Sequence, residues 1–262
     1  VEIRARNVND AYATGMRLFV IGHDPRIVAP RGKRTLEWPE PFITHYARPY
    51  ERVLFNSVRD CNPFLHFFES LWFLAGRDDV TFVRLLQPRF AEYSDNGQTM
   101  QGSYGYRWRY HFGYDQLIAL VALLGKDPDT RRAVLTMWGA QDLMHADLSK
   151  DVPCNTQVYF KIRDYRLHMT VTCRSNDMLW GAYGANAVQF SMLQEYIANK
   201  LGIGIGYYTQ VSDSMHVYTD GTEGKVWWRC AEAAADALGA PPESLCPYAG
   251  GGVAAGTLGA GT

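Results

Sequence analysis

No stretch of this chain approaches the run of about 20 apolar residues that a membrane-crossing helix requires, and its opening, VEIRARNVND, lacks the basic-then-apolar order of a secretory leader. A membrane partner is therefore not expected, and the expected location is the cytoplasm. Cysteine is sparse and scattered: Cys61, Cys154, Cys173, Cys230 and Cys246 include no CxxC pair. An odd set argues against a disulfide framework, and a zinc site wants closer ligand spacing, so no metal is expected. A surplus of either charge is also missing, with 26 Lys plus Arg against 27 Asp plus Glu and a net charge of -1. Without a bulk positive field a polymeric nucleic acid has little to hold it, and the expected partner is small. The chain lacks internal repeats and any linker that would divide two domains.

What is present is apolar and aromatic mass. Of 262 residues 47% are hydrophobic, with 7 Trp, 16 Tyr and 12 Phe, enough to bury one substantial core. One catalytic domain is expected over residues 1–248, followed by a flexible Gly/Ala-rich tail at 249–262. Tyr12, Met16, Phe19 and Val20 recur at helical spacing, which predicts a helix over Asn9–Val20 with Asn9 as its cap. In CNPFLHFFESLWFLAG, Asn62 is an N-cap, Pro63 occupies the first helical position and Gly76 ends the helix. A further helix is expected from Phe112 to Leu124 and a strand within Ala133–Trp138. Two strands follow DVPCN: VYFKI, then RLHMTVTCR. In the second, Leu167, Met169, Val171 and Cys173 alternate with His168, Thr170, Thr172 and Arg174. One face of that strand suits the core, and the other is polar enough to line a cavity. NAVQFSMLQEYIANKLG predicts a long helix capped by Gly202, YYTQVSDSMHVY a strand, and residues 227–239 an alanine-rich helix. The fold class is α+β, with helices around a mixed or antiparallel sheet.

Several polar residues sit where packing alone does not explain them. Glu69 lies inside an apolar helix, where an unpaired carboxylate is expensive unless it is used. Cys154 follows a polar loop. A cysteine beside a strand is usually packing, but guanidinium charge nearby would favour the nucleophilic thiolate. Arg31 or Arg34, the pair Arg131 and Arg132, and Arg174 with Ser175 offer the forked donors and hydroxyl that suit a phosphate monoester. The polar cluster CRSND ends an alternating strand and reads as an outlet into a site.

ESLWFLAG at 69–76, RR at 131–132, PC at 153–154, RSND with LWG at 174–181 and MHVY at 215–218 occur in the order seen in the thymidylate synthase and pyrimidine nucleotide hydroxymethylase family, which this chain resembles over about 150 residues. The resemblance implies a three-layer fold with a mixed sheet flanked by helices. It also implies a homodimer in which each phosphate site receives Arg131 and Arg132 from the partner subunit. In that likeness Cys154 attacks C6 of a pyrimidine nucleoside monophosphate, Arg174, Ser175 and Arg31 hold its phosphate, and His216 and Tyr218 bind its sugar. Glu69 and Tyr104 manage protons around the ring, Asp177 meets the folate ring, and Trp72 lies near that co-substrate. The co-substrate implied is 5,10-methylenetetrahydrofolate.

The departures from the family pattern point to the reaction. Asn155 stands where thymidylate synthases carry His. GAYGAN replaces a segment ending in Pro-Phe-Asn, so the base-reading position falls on Ala185, or on Asn186 after a one-residue shift. Phage deoxycytidylate hydroxymethylases usually have Asp there. The C-terminal GTLGAGT offers little to seal a site against water, and water capture of the one-carbon unit gives a hydroxymethyl group. The expected activity is therefore 5-hydroxymethylation of a cytidylate, CMP or dCMP, similar to hydroxymethylases that include those of nucleoside antibiotic pathways. Methylation of dUMP and an inactive nucleotide- or RNA-binding relative are the alternatives.

Overall fold

The computed structural model describes residues 1–22 and 24–239. The tail expected at 249–262, the domain limit at 248 and the C-terminal GTLGAGT lie outside the described residues.

In chain order the elements are β1 (Glu2–Ala5), α1 (Val8–Ile21), β2 (Arg26–Val28), β3 (Thr35–Glu37), β4 (Phe42–Tyr46), α2 (Pro63–Leu74), α3 (Val80–Val83), α4 (Tyr104–Tyr106), α5 (Gln116–Lys126), β5 (Val134–Thr136), α6 (Asp142–His145), β6 (Asn155–Arg163), β7 (Arg166–Asp177), α7 (Asn186–Leu201), β8 (Gly204–Tyr218) and α8 (Gly221–Leu238). π-Helical segments follow α4 at Arg107–His111 and precede α7 at Met178–Ala185. Local chemistry sets most boundaries. The Asn62 side chain accepts from the Leu65 amide, Pro63 opens α2, and Gly202 ends α7 at φ 66°. Two expected boundaries move. Asn7 rather than Asn9 caps α1, accepting from the Asn9 and Asp10 amides. The helix expected from Phe112 starts at Gln116 behind an Asp115 cap, because Gly113 takes φ 82° in the intervening turn.

The sheet order is β1-β4-β8-β7-β6-β5, with the β2–β3 hairpin paired to β8. β1/β4 and β7/β8 are parallel and the other pairs antiparallel, so the sheet is mixed. Leu167, Met169, Val171 and Cys173 are buried beneath α7, and α2 packs on α7 to form a third layer. Of the alternate face of β7, Arg174 lines a cavity beside Cys154 and Thr172 does not. His168 and Thr170 are half-exposed and share a shallow hollow with Arg131, Tyr159, Lys161 and Arg163, and none of these residues lines the cavities around Cys154.

Candidate active site

Cys154 immediately precedes β6 and is half-buried. Arg174, on neighbouring β7, fixes this turn from both chain and side chain. Its amide donates to the Cys154 carbonyl at 2.9 Å, and its guanidinium donates to the carbonyls of Pro153 at 2.9 Å and Val152 at 3.0 Å. That leaves Nη2 at 4.0 Å from Cys154 Sγ. Burial pushes the thiol pKa up, Arg174 pulls it back, Asp151 raises it again and Arg31 lowers it. The sulfur is thus held as a thiol beside the charge that would stabilise its thiolate.

Two cavities meet at Cys154 and Val152. The larger, a cleft of about 880 Å³, is lined by Arg31, Lys33, Arg174, Ser175, His216 and Tyr218 among others. Arg31 reaches it from a tight turn, at φ 51° next to Gly32 at φ 78°. Arg34 is not among the lining residues; its backbone is pinned by the Asp220 carboxylate at 2.9 Å and the Thr219 amide at 3.0 Å. The Tyr218 ring meets His216 edge-on at 5.3 Å, and Ser214, 3.4 Å from His216 Nδ1, donates to Glu37. Guanidinium groups, a lysine and a hydroxyl in the lining of such a cleft suit an anion carrying several acceptor oxygens.

The smaller recess, about 180 Å³, is lined by Glu69, Tyr104, Asp151, Ala185, Asn186 and Gln189, with Trp72 and Phe73 among its apolar walls. Glu69 accepts from Gln189 Nε2 at 2.7 Å, and burial lifts its pKa to about 7 against that hydrogen bond. A carboxyl group with this value can hold or release a proton near neutrality. Trp72 is buried, its indole N–H committed to the Asp79 carbonyl at 3.0 Å.

The remaining sequence-selected residues lie elsewhere. Asp177 lines neither cavity. Its Oδ1 accepts from the Leu179 and Trp180 amides at 2.7 Å each, capping the π-helical segment. Burial raises its pKa while His216 pulls it down. Arg131 and Arg132 are exposed and outside the cleft, so a single chain does not bring them to Cys154.

Sequence reasoning missed a buried relay behind Cys154. Tyr208 donates to Gln210 Oε1, Gln210 Nε2 donates to Asn155 Oδ1 at 3.3 Å, and Asn155 Nδ2 donates to the Tyr104 hydroxyl at 2.9 Å. The Asn155 amide adds a second donor to that hydroxyl at 3.3 Å. Burial holds the Tyr104 pKa well above the ordinary value against the pull of these two donors, so the hydroxyl keeps its proton. The relay depends on a β-bulge. Asn155 pairs with Cys173 and Gln157 with Thr172, which leaves Thr156 extra and turns Asn155 to the same buried side as Val158 and Phe160. Strict alternation from Val158 back would point Asn155 outward. Gln189 was also missed, although a polar residue in the apolar run of α7 is the same kind of signal that singled out Glu69.

A thiol between a cleft carrying guanidinium groups and a carboxyl-lined recess, carried on a mixed sheet under helices, suits covalent chemistry on a small anionic molecule. Comparison with known proteins makes the class specific. The thymidylate synthase family model matches residues 58–226, well over half of the chain. A deoxyuridylate hydroxymethyltransferase of Pseudomonas phage M6 is 48% identical over 222 residues, covering 83% of this chain and 62% of that protein. One of Bacillus phage SP01 is 39% identical over 211 residues, covering 76% and 55% respectively. A thymidylate synthase of Symbiobacterium thermophilum is 32% identical over 183 residues, covering 64% of this chain and 60% of its own length. The chain belongs to the thymidylate synthase family. It spans between 55% and 62% of the lengths of these three relatives.

Proposed function

We propose that this chain carries the catalytic unit of a folate-dependent pyrimidine nucleoside monophosphate 5-hydroxymethylase, with dUMP as its first substrate. The observation that carries this reading is the position of Cys154 at the junction of the basic cleft and the carboxyl-lined recess. In it, Arg31, Arg174 and Ser175 hold the phosphate, and His216 and Tyr218 flank the sugar. Cys154 adds to C6 of the ring, pushing electron density toward C5. Tyr104 and Glu69 hold and move protons at the ring. The apolar walls of the recess, Trp72, Phe73, Phe90 and Met100, fit one face of a flat pterin ring. The co-substrate, 5,10-methylenetetrahydrofolate, supplies an electrophilic one-carbon unit.

The base assignment draws on the relatives. Asn186 Nδ2 donates to Asn176 Oδ1 at 3.1 Å, which leaves the Asn186 carbonyl as an acceptor at the recess. An acceptor suits both N3–H of uracil and the exocyclic amine of cytosine, so it does not separate them. The phage relatives are named for deoxyuridylate, and dUMP is accordingly placed ahead of the CMP or dCMP expected from the altered reader segment. Cys154 and Glu69 at one site argue against an inactive relative. The assembly proposed is a homodimer, because Arg131 and Arg132 stand exposed and outside the cleft they would complete.

Product analysis by mass with dUMP, dCMP, CMP and UMP, each with the folate in oxygen-18 water, tests the function. A hydroxymethyl nucleotide carrying solvent oxygen and no rise in dihydrofolate absorbance are expected. A methylated nucleotide with stoichiometric dihydrofolate refutes the reading in favour of thymidylate synthesis.

A further inference from the structure

Asp151 lies three residues before Cys154 and lines the same recess as Glu69 and Tyr104. One of its oxygens, Oδ2, accepts from the Gly102 amide at 2.7 Å, and Oδ1 has no hydrogen-bond partner among the described residues. Among the described residues no cation forms an ion pair with it. The nearby Arg107 is held by Asp142 through two bonds of 2.6 and 2.8 Å. The chain makes room for this carboxylate: a Cβ at residue 102 would stand 2.5 Å from Asp151 Oδ1. It also fixes the approach, since the Asp151 amide donates to Ser149 Oγ at 3.1 Å and that hydroxyl donates to Asp95 at 2.6 Å. A carboxylate desolvated without a counter-ion is costly, and one beside a nucleophile is a candidate for proton transfer. Burial lifts its pKa to about 6, with the Gly102 amide and Arg107 pulling it down and Asp95 pushing it up. At neutral pH such a group is ionised and basic enough to accept a proton.

We propose that Asp151 is the general base for the water that becomes the hydroxyl of the product, an inference that rests on the hydroxymethylase reading. Glu69 is held by Gln189 on the α7 side of the recess, whereas Asp151 has a free oxygen on the loop that carries the nucleophile. In the step assigned to it, the water oxygen forms a bond to the exocyclic methylene carbon on pyrimidine C5. The electron pair of the exocyclic double bond passes through C5 to the O4 enolate, and the water proton goes to Asp151. Collapse of the enolate restores the C5–C6 double bond and expels the Cys154 thiolate, after which Asp151 returns its proton to solvent. Nothing is oxidised or reduced.

The test compares the wild-type protein with Asp151→Asn and Asp151→Ala, using dUMP tritiated at C5 and the folate. In a single turnover with enzyme in excess over nucleotide, release of the C5 label precedes water addition and should stay within about threefold of the wild-type rate, while hydroxymethyl product forms about 100-fold more slowly. Intact-protein mass spectrometry should show the nucleotide with its one-carbon unit accumulating on Cys154, and added 2-mercaptoethanol should be captured as a thioether nucleotide. Equal losses of label release and product, or unchanged product, overturn the assignment. A solvent isotope measurement on the wild-type protein covers the case in which neither variant folds. In the same single turnover, deuterium oxide should slow product formation more than label release, and equal slowing overturns the proposal. Formation of a methylated nucleotide by the wild type overturns the hydroxymethylase reading itself, and is seen before any variant is made.

Discussion

Asn155→Leu separates the buried relay from the chemistry of the nucleophile, because it keeps side-chain volume and removes two hydrogen bonds. Asn155 and Gln210 are 0% and 1% exposed, so neither water nor a shifted side chain replaces what is lost. Gln210 Nε2 loses its acceptor, and Tyr104 keeps only the longer bond from the Asn155 amide. An unsatisfied buried donor costs about 1–3 kcal/mol, and a weakened neutral hydrogen bond adds about 1 kcal/mol. The sum, about 3 kcal/mol, lowers the thermal midpoint of a domain of this size by about 6–12 °C. Adding Gln210→Leu removes the stranded donor, so the double variant should be about 1–2 kcal/mol more stable than the sum of the single effects predicts. The function changes with it: the Tyr104 hydroxyl is no longer aimed, and release of the C5 proton should slow about tenfold while nucleotide binding persists. Calorimetry on the four proteins of this cycle, with tritium release from C5-labelled dUMP, makes both measurements. A midpoint shift below 2 °C with strictly additive effects would falsify the relay.

Two further outcomes follow from the site. Glu69, with a folded pKa of about 7 against an ordinary 4.5, binds its proton more tightly in the folded state. Its contribution to stability is therefore fully present below pH 4.5 and is lost as pH rises through about 7. Glu69→Gln should flatten the fall of the thermal midpoint across that window; an unchanged slope in the difference between the two proteins means the carboxyl is not buried as described. Mixing inactive Arg132→Ala chains with inactive Cys154→Ala chains should restore activity through heterodimers containing one intact site. Verified heterodimers without activity would rule out the shared phosphate site.

Much of this protein was legible before any coordinates, for local reasons. The Asn62–Pro63 start of α2, the Gly202 stop of α7 and the alternation in β7 are short-range signals, and the structure reproduces them within a few residues. The ordered motifs around Glu69, Cys154 and Arg174 marked which polar residues were candidates, since a carboxylate in an apolar helix and a cysteine before a strand are visible one segment at a time. What escaped depended on contacts between distant segments. The Thr156 bulge reverses the side on which Asn155 lies, so a pattern of period two gives the wrong answer there. Gln189 meets Glu69 across 120 positions of sequence, and Asp151 meets Gly102 across 49. Sequence by itself determined the elements, the family motifs and the choice of Cys154 as candidate nucleophile, because these are written in neighbouring residues. Only the tertiary structure decided which carboxylates share the thiol's recess and that Arg131 and Arg132 stay outside the cleft, because desolvation and reach depend on how the sheet and its bulge bring remote segments together.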